Sequence, residues 1–126
     1  MKIKICGITS LEDALDAISL GVHAIGFIFY KHSSRYITPE KAEEIVLNLP
    51  PFVHTVGVFV NHEKEEVHDI VKRCKLDVVQ LHGNESPSFC MDMTRRVIKA
   101  IPVSELDDLN QIIKYQGLVS GILLDT

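Results

Sequence analysis

Short apolar runs alternate along this chain with longer segments in which apolar residues recur every three or four positions. The first run, KIKICGIT at residues 2–9, carries Cys6 near its end, and the last, GILLD at 121–125, closes on Asp125. Residues 24–29, 54–60, 78–81 and 97–101 give four further strands, because four to seven β-branched and aliphatic residues bounded by turn formers read as buried strand. Between them the 3.6-residue period predicts helices. Ser10, with Asp13 three residues on, caps a segment whose face is Leu11, Ala14, Leu15 and Ile18, and Gly21 supplies its left-handed stop. Thr38-Pro39 caps and starts the next, with Ala42, Ile45, Val46 and Leu49 inward and Pro50-Pro51 ending it. Asn61 is the expected cap of a third, carrying Val67, Ile70, Val71 and Cys74. Ser86-Pro87 opens a short fourth through Phe89, Cys90 and Met93, and Ser104, with Asp107, caps a fifth bearing Leu106, Leu109, Ile112 and Ile113.

Six strands and five helices in strict alternation predict an α/β fold with a parallel sheet. The spacing, roughly 20 to 25 residues per unit, is the pace of a (β/α)₈ barrel. No linker, low-complexity run or composition shift divides the 126 residues, so residues 1–126 read as a single domain.

Composition then removes function classes. Apolar content is 46% and charged content 24%, as in an ordinary globular sequence. A formal charge of −4 without a basic cluster argues against a nucleic-acid partner. No apolar stretch approaches the roughly 20 residues that a membrane helix needs. No secretory signal precedes the first strand, and Cys6, Cys74 and Cys90 form no pairable framework. Both features point to a reducing, cytoplasmic setting. Six histidines (His23, His32, His54, His62, His68 and His82) show neither HExxH nor acid clusters at ligand spacing, so no metal site is expected.

Candidate chemistry follows from strand parity, since successive side chains face opposite ways. If Cys6 faces the barrel interior, so does Lys4, while Ile3 and Ile5 face the helices. The fourth strand then sends Gln80 and His82 inward, the fifth sends Lys99, and the sixth sends Leu123 and Asp125. Polar residues thus gather on one face of several strands, where a bland α/β core would carry aliphatic residues on both. The carboxyl ends of parallel strands share one rim, so Cys6 and Asp125 are a candidate base and acid.

Six segments, KICGIT at 4–9, AIGFIF at 24–29, SRYI at 34–37, VGVFVN at 56–61, VQLHG at 79–83 and LLDT at 123–126, resemble the phosphoribosylanthranilate isomerase family of tryptophan biosynthesis, in order and in register. The resemblance implies a (β/α)₈ TIM barrel, of which this chain has about (βα)₅β and lacks the last two strands and their phosphate-holding loops. It also implies an Amadori rearrangement. N-(5′-phosphoribosyl)anthranilate would become 1-(2-carboxyphenylamino)-1-deoxyribulose 5-phosphate by general acid–base catalysis, with no cofactor. On that resemblance Cys6 is the general base and Asp125 the general acid. Arg35, His82 and Gln80 are the substrate-binding residues, Arg35 meeting the anthranilate carboxylate. Cys6 must then be lowered from about 8.5 and Asp125 raised from about 3.9, the latter by desolvation as substrate closes the site.

Two rival readings stand beside this one. The chain is a non-catalytic barrel fragment whose open strand edges invite self-association or a C-terminal fragment. Or it is a doubly wound, flavodoxin-like sheet, which the missing phosphate-type glycine fingerprint disfavours. The sequence ends one residue beyond Asp125, which matches the fragment expectation.

Overall fold

The computed structural model describes residues 1–126 as one parallel sheet of six strands in the order β1-β2-β3-β4-β5-β6. The strands are β1 (Lys4–Cys6), β2 (Ala24–Ile28), β3 (His54–Phe59), β4 (Val78–Leu81), β5 (Arg96–Pro102) and β6 (Gly121–Asp125). Helices α1 (Leu11–Ser19), α2 (Pro39–Leu47), α3 (Lys64–Cys74) and α4 (Pro87–Met91) fill the first four connections. The fifth holds a 3₁₀ stretch (Leu106–Gln111) leading into α5 (Ile112–Tyr115). Each strand pairs in parallel with its successor and the order never reverses. A doubly wound sheet needs such a reversal at its switch point, so that reading is excluded.

The sheet is strongly curled. Lys4 of β1 donates to the side-chain oxygen of Gln80 on β4. In a flat sheet those strands would stand three spacings, roughly 14 Å, apart with parallel side chains. The contact exists because the sheet bends into part of a (β/α)₈ barrel, here six strands of it.

The local signals work where the sequence places them in three of five helices. Ser10 Oγ accepts from the Asp13 amide at 3.1 Å, Thr38 Oγ1 from Lys41 at 3.3 Å and Ser86 Oγ from Phe89 at 3.1 Å. Pro39 and Pro87 occupy first-turn positions, where a missing N–H costs nothing. Gly21 takes φ +88° just past α1. Two expected caps fail. The cap position of α3 is Glu63, and Asn61 instead sits at φ +53° with its amide directed into a neighbouring loop. Ser104 does not cap the fifth helix. Asp108 does the work there, one oxygen accepting from the Ser104 and Glu105 amides at 2.8 and 3.0 Å.

The core lies between the outer face of the sheet and the helices. Ile25, Phe27, Phe59, Val79, Leu81, Val97 and Ile101 pack there with Ala14, Ala42, Ile45, Val67, Val71 and Cys74. Gly57 belongs to that face because a Cβ would stand 2.5 Å from the Leu76 side chain, which packs on the strand at that point. At the two ends of the sheet the outer face is bare, with Ile3 and Ile5 each 41% exposed and Leu124 56% exposed. The inner face opens at its amino-terminal end into a cavity of about 740 Å³ lined by Lys4, Ala24, Val56, Val78 and Ile98 among others. No helix is long and apolar enough to cross a membrane.

Candidate active site

Strand register settles which side chains share the inner face. Gln80 pairs with Ile98 and Ile98 with Gly121, so Leu123 and Asp125, two and four residues along β6, face as Gln80 does. Lys4 reaches Gln80 and is therefore inside, and Cys6, two residues on, faces the same way. Cys6 and Asp125 thus stand on one face at the carboxyl ends of the first and last strands, as their parity suggested.

Lys99 does not join them. It pairs with Leu81 and Ile122, which places it on the outer face, against the expectation of an inward lysine. An ammonium tolerates that position only because its donors are filled. Its Nζ donates to the carbonyls of Gly83 at 2.7 Å, Ala100 at 3.0 Å and Leu81 at 3.3 Å, and lies 3.3 Å from Glu85 Oε1. It also stands 5.7 Å from the Tyr115 ring centre, whose hydroxyl donates to the Glu85 carbonyl. Glu85 in turn accepts the Gly83 amide with Oε1 and the Asn61 amide with Oε2, at 2.9 and 2.8 Å. Asn61 Oδ1 accepts from Asn84, joining the loops after β3 and β4. Sequence reasoning missed Glu85. The available signal was a lysine in mid-strand, which requires an acid close by.

On the inner face one hydrogen-bonded chain crosses the curl. Lys4 donates to Gln80 Oε1, Gln80 Nε2 lies 3.2 Å from His82 Nδ1, and His82 Nε2 lies 2.8 Å from Asp125 Oδ2. Asp125 Oδ1 accepts the Thr126 amide at 3.0 Å. Gln80 is 2% exposed, while the Asp125 side chain is 48% exposed. The chain has a buried beginning and an open end.

Electrostatics divide the groups further. Burial lowers the Lys4 amine from its ordinary value, opposed by attraction to a Cys6 thiolate. Asp125 is held below the usual carboxylate range, first by the His82 hydrogen bond and then by the Thr126 amide. The expected rise of Asp125 belongs to the site closed by substrate; in the open site two donors face the carboxylate while water still reaches it. Cys74 and Cys90 are pushed up by burial, Cys74 to about 11, and neither is poised as a nucleophile.

Two glycines shape the surroundings of Cys6. Gly26 is its register partner, and a Cβ there would stand 3.0 Å from Sγ. Gly7 takes φ +87°, and a Cβ on it would meet the Arg35 side chain at 2.6 Å. Arg35 uses that gap to lie over the β1 end, its Nη1 donating to the Cys6 carbonyl at 2.8 Å. Of the five expected site residues, Gln80, His82 and Asp125 are joined directly, and Arg35 is tied to the backbone of Cys6. No group of acids, histidines and cysteines is arranged to hold a metal ion.

The chain as a whole has counterparts among known proteins. The family profile described as N-(5'phosphoribosyl)anthranilate (PRA) isomerase matches residues 3–126. An N-(5'-phosphoribosyl)anthranilate isomerase of Geobacter sulfurreducens is 51% identical over 125 residues, which is 99% of this chain and 61% of the relative. A solved phosphoribosyl anthranilate isomerase in complex with reduced 1-(o-carboxyphenylamino)-1-deoxyribulose 5-phosphate superposes with a TM-score of 0.96 at 47% identity, covering 100% of this chain and 65% of that one. A structure of monomers generated from the dimeric Thermotoga maritima isomerase gives 0.94 and 44%, with the same coverage. The chain thus spans about three-fifths of the length of the curated relative it matches.

Proposed function

The chain belongs to the N-(5′-phosphoribosyl)anthranilate isomerase family, and from that premise we propose that it carries the acid–base machinery of an isomerase acting on N-(5′-phosphoribosyl)anthranilate. The reaction is the Amadori rearrangement to 1-(2-carboxyphenylamino)-1-deoxyribulose 5-phosphate. Asp125, carrying a proton, gives it to the ribose ring oxygen, the ring C–O bond breaks, and a Schiff base forms. Cys6 as thiolate removes the proton from C2′, giving an enolamine that tautomerises to the ketone. Protons taken and given balance, and one acid and one base suffice. Arg35 lies on the Cys6 side, where its remaining N–H groups suit the anthranilate carboxylate. His82 contacts substrate beside Asp125, with Gln80 behind it.

The observation that carries this reading is the placement of a thiol and a carboxylate on the inner face, both at the carboxyl ends of their strands. Asp125 begins below its ordinary range, so substrate must displace the water around the carboxyl before it holds a proton.

Bare Ile3, Ile5 and Leu124 and the open inner cavity favour a second element of the same reading. The edges of β1 and β6 receive either a polypeptide supplying the rest of the barrel or a second copy of the chain. The single domain at 1–126 is then the amino-terminal portion of a TIM barrel, working in the cytoplasm on a soluble sugar phosphate.

The test is isomerase turnover by this chain alone and after mixing with the part of the Geobacter sulfurreducens relative that lies beyond the match. Activity on mixing, lost in Cys6→Ala and in Asp125→Asn, is expected. An active mixture insensitive to both substitutions would overturn the assignment.

A further inference from the structure

The geometry points to Lys4 and Gln80 as positioning residues that fix the tautomer of His82, so that its Nε2–H is permanently aimed at Asp125. The assignment follows from the donor inventory. An ammonium has only donors, so the Gln80 amide must turn its oxygen toward Lys4. The amide nitrogen then faces His82 Nδ1 at 3.2 Å, and because that nitrogen has only N–H groups to offer, Nδ1 must present a lone pair. The ring proton is left on Nε2, 2.8 Å from Asp125 Oδ2. Turning the amide over would set its NH₂ against the ammonium, donor on donor, in a position where Gln80 is 2% exposed.

The consequence concerns which partner of the His82–Asp125 pair carries an added proton. An imidazolium would place a second N–H at Nδ1, facing the amide N–H of Gln80. The carboxyl meets no donor-on-donor clash, although its two present hydrogen bonds favour the charged form. Oδ1 can take the proton as a hydroxyl and still accept the Thr126 amide, while Oδ2 keeps the His82 N–H. Lys4 and Gln80 therefore reserve the acid role for Asp125, and the histidine acts as a fixed donor that orients the carboxyl. The charged groups at the two ends of this hydrogen-bonded chain are Lys4 from β1, which meets Gln80, and Asp125 from β6, which meets His82.

This deepens the proposed acid–base function and rests on it for its meaning, but its test requires no turnover. Nitrogen NMR of the chain labelled at histidine distinguishes protonated from lone-pair ring nitrogens, and the resonance pair lost in His82→Gln identifies residue 82 among the six histidines. The expected parent spectrum at neutral pH has Nε2 protonated and Nδ1 bare. In Lys4→Met the amide is free to turn, and both nitrogens should move to averaged positions. In Gln80→Glu a carboxylate faces Nδ1, which should become protonated. A parent spectrum with Nδ1–H, or with averaged nitrogens, would overturn the inference without any variant. A Lys4→Met spectrum identical to the parent would remove Lys4 from the device. Failure of isomerase activity with the expected spectra would instead count against the function alone.

Discussion

The molecule holds two lysine-headed polar networks on opposite faces of one sheet. On the outer face, Lys99 and Glu85 are 3% and 2% exposed, every donor has a partner, and the result clamps the loops after β3 and β4. On the inner face, Lys4 starts a chain of equal chemical type that ends in a half-exposed carboxylate. The first is closed on itself and the second opens toward the barrel mouth. A closed network resists the loss of any member, because a lone buried charge is left behind. An open one has room for a ligand to replace water.

The comparison breaks most visibly at Cys6. Cys6→Ala should lower turnover in the assembled isomerase by about 10²–10⁴-fold, the usual contribution of a positioned base. The unfolding free energy of the chain, measured by urea titration, should fall by no more than about 1 kcal/mol, since the thiol sits at the open rim rather than in the outer core. A loss of stability as severe as the loss of rate would mean that Cys6 is a packing residue.

The outer network should behave in the opposite way. Glu85→Ala leaves the Lys99 ammonium buried without its acid and frees the Asn61 and Gly83 amides. Breaking such a pair costs about 3–5 kcal/mol. Replacing both partners, Glu85→Leu with Lys99→Leu, should cost less than Glu85→Ala alone. Equal losses in the single and double variants would show that the charge pairing is not what holds these loops.

Fold and site were unequally legible in the sequence. Alternating strand and helix periods are local, so the order and parity of β1, β4 and β6 could be read directly, and parity placed Lys4, Cys6, Gln80 and Asp125 on one face. Lys99 went to the wrong face because a charge was assumed to seek the interior of the barrel. Parity within β5 depends on a register that only pairing with Leu81 and Ile122 reveals. Asn61 and Ser104 look like caps in isolation, yet a tertiary partner, Glu85, drew the Asn61 amide, and a local capping box gave the fifth connection's cap to Glu105 and Asp108. The low starting point of Asp125 in the open site was also beyond reach, since it depends on a histidine 43 residues away.

A finer test concerns the inner strand pair at its closest point. Gly26→Ala adds a Cβ 3.0 Å from Cys6 Sγ, tighter than ordinary van der Waals contact, so the thiol must turn or the strands must part. Stability should fall by about 1 kcal/mol, in the range for mild overpacking. If Cys6 is the base as proposed, the larger effect should be on turnover, because a displaced thiol loses its reach to the reacting carbon. Unchanged turnover would show that the thiol's position is not set by this contact.

The smallest expected effect is the most direct on the open end of the inner network. His82→Ala removes the main donor that holds the Asp125 carboxyl low and leaves the Thr126 amide in place. The carboxyl titration, followed by carbon NMR, should therefore rise toward the ordinary value of about 3.9 without passing above it. A carboxyl depressed in the folded state adds stability above its unfolded value and loses it as pH falls through the folded one. Parent and variant should differ most above about pH 4 and converge in stronger acid. Because Asp125 is half exposed, the stability difference is small and the titration itself is the sensitive measure. A carboxyl whose titration ignores the loss of His82 would separate Asp125 from the inner network and leave that network closed, like its counterpart on the outer face.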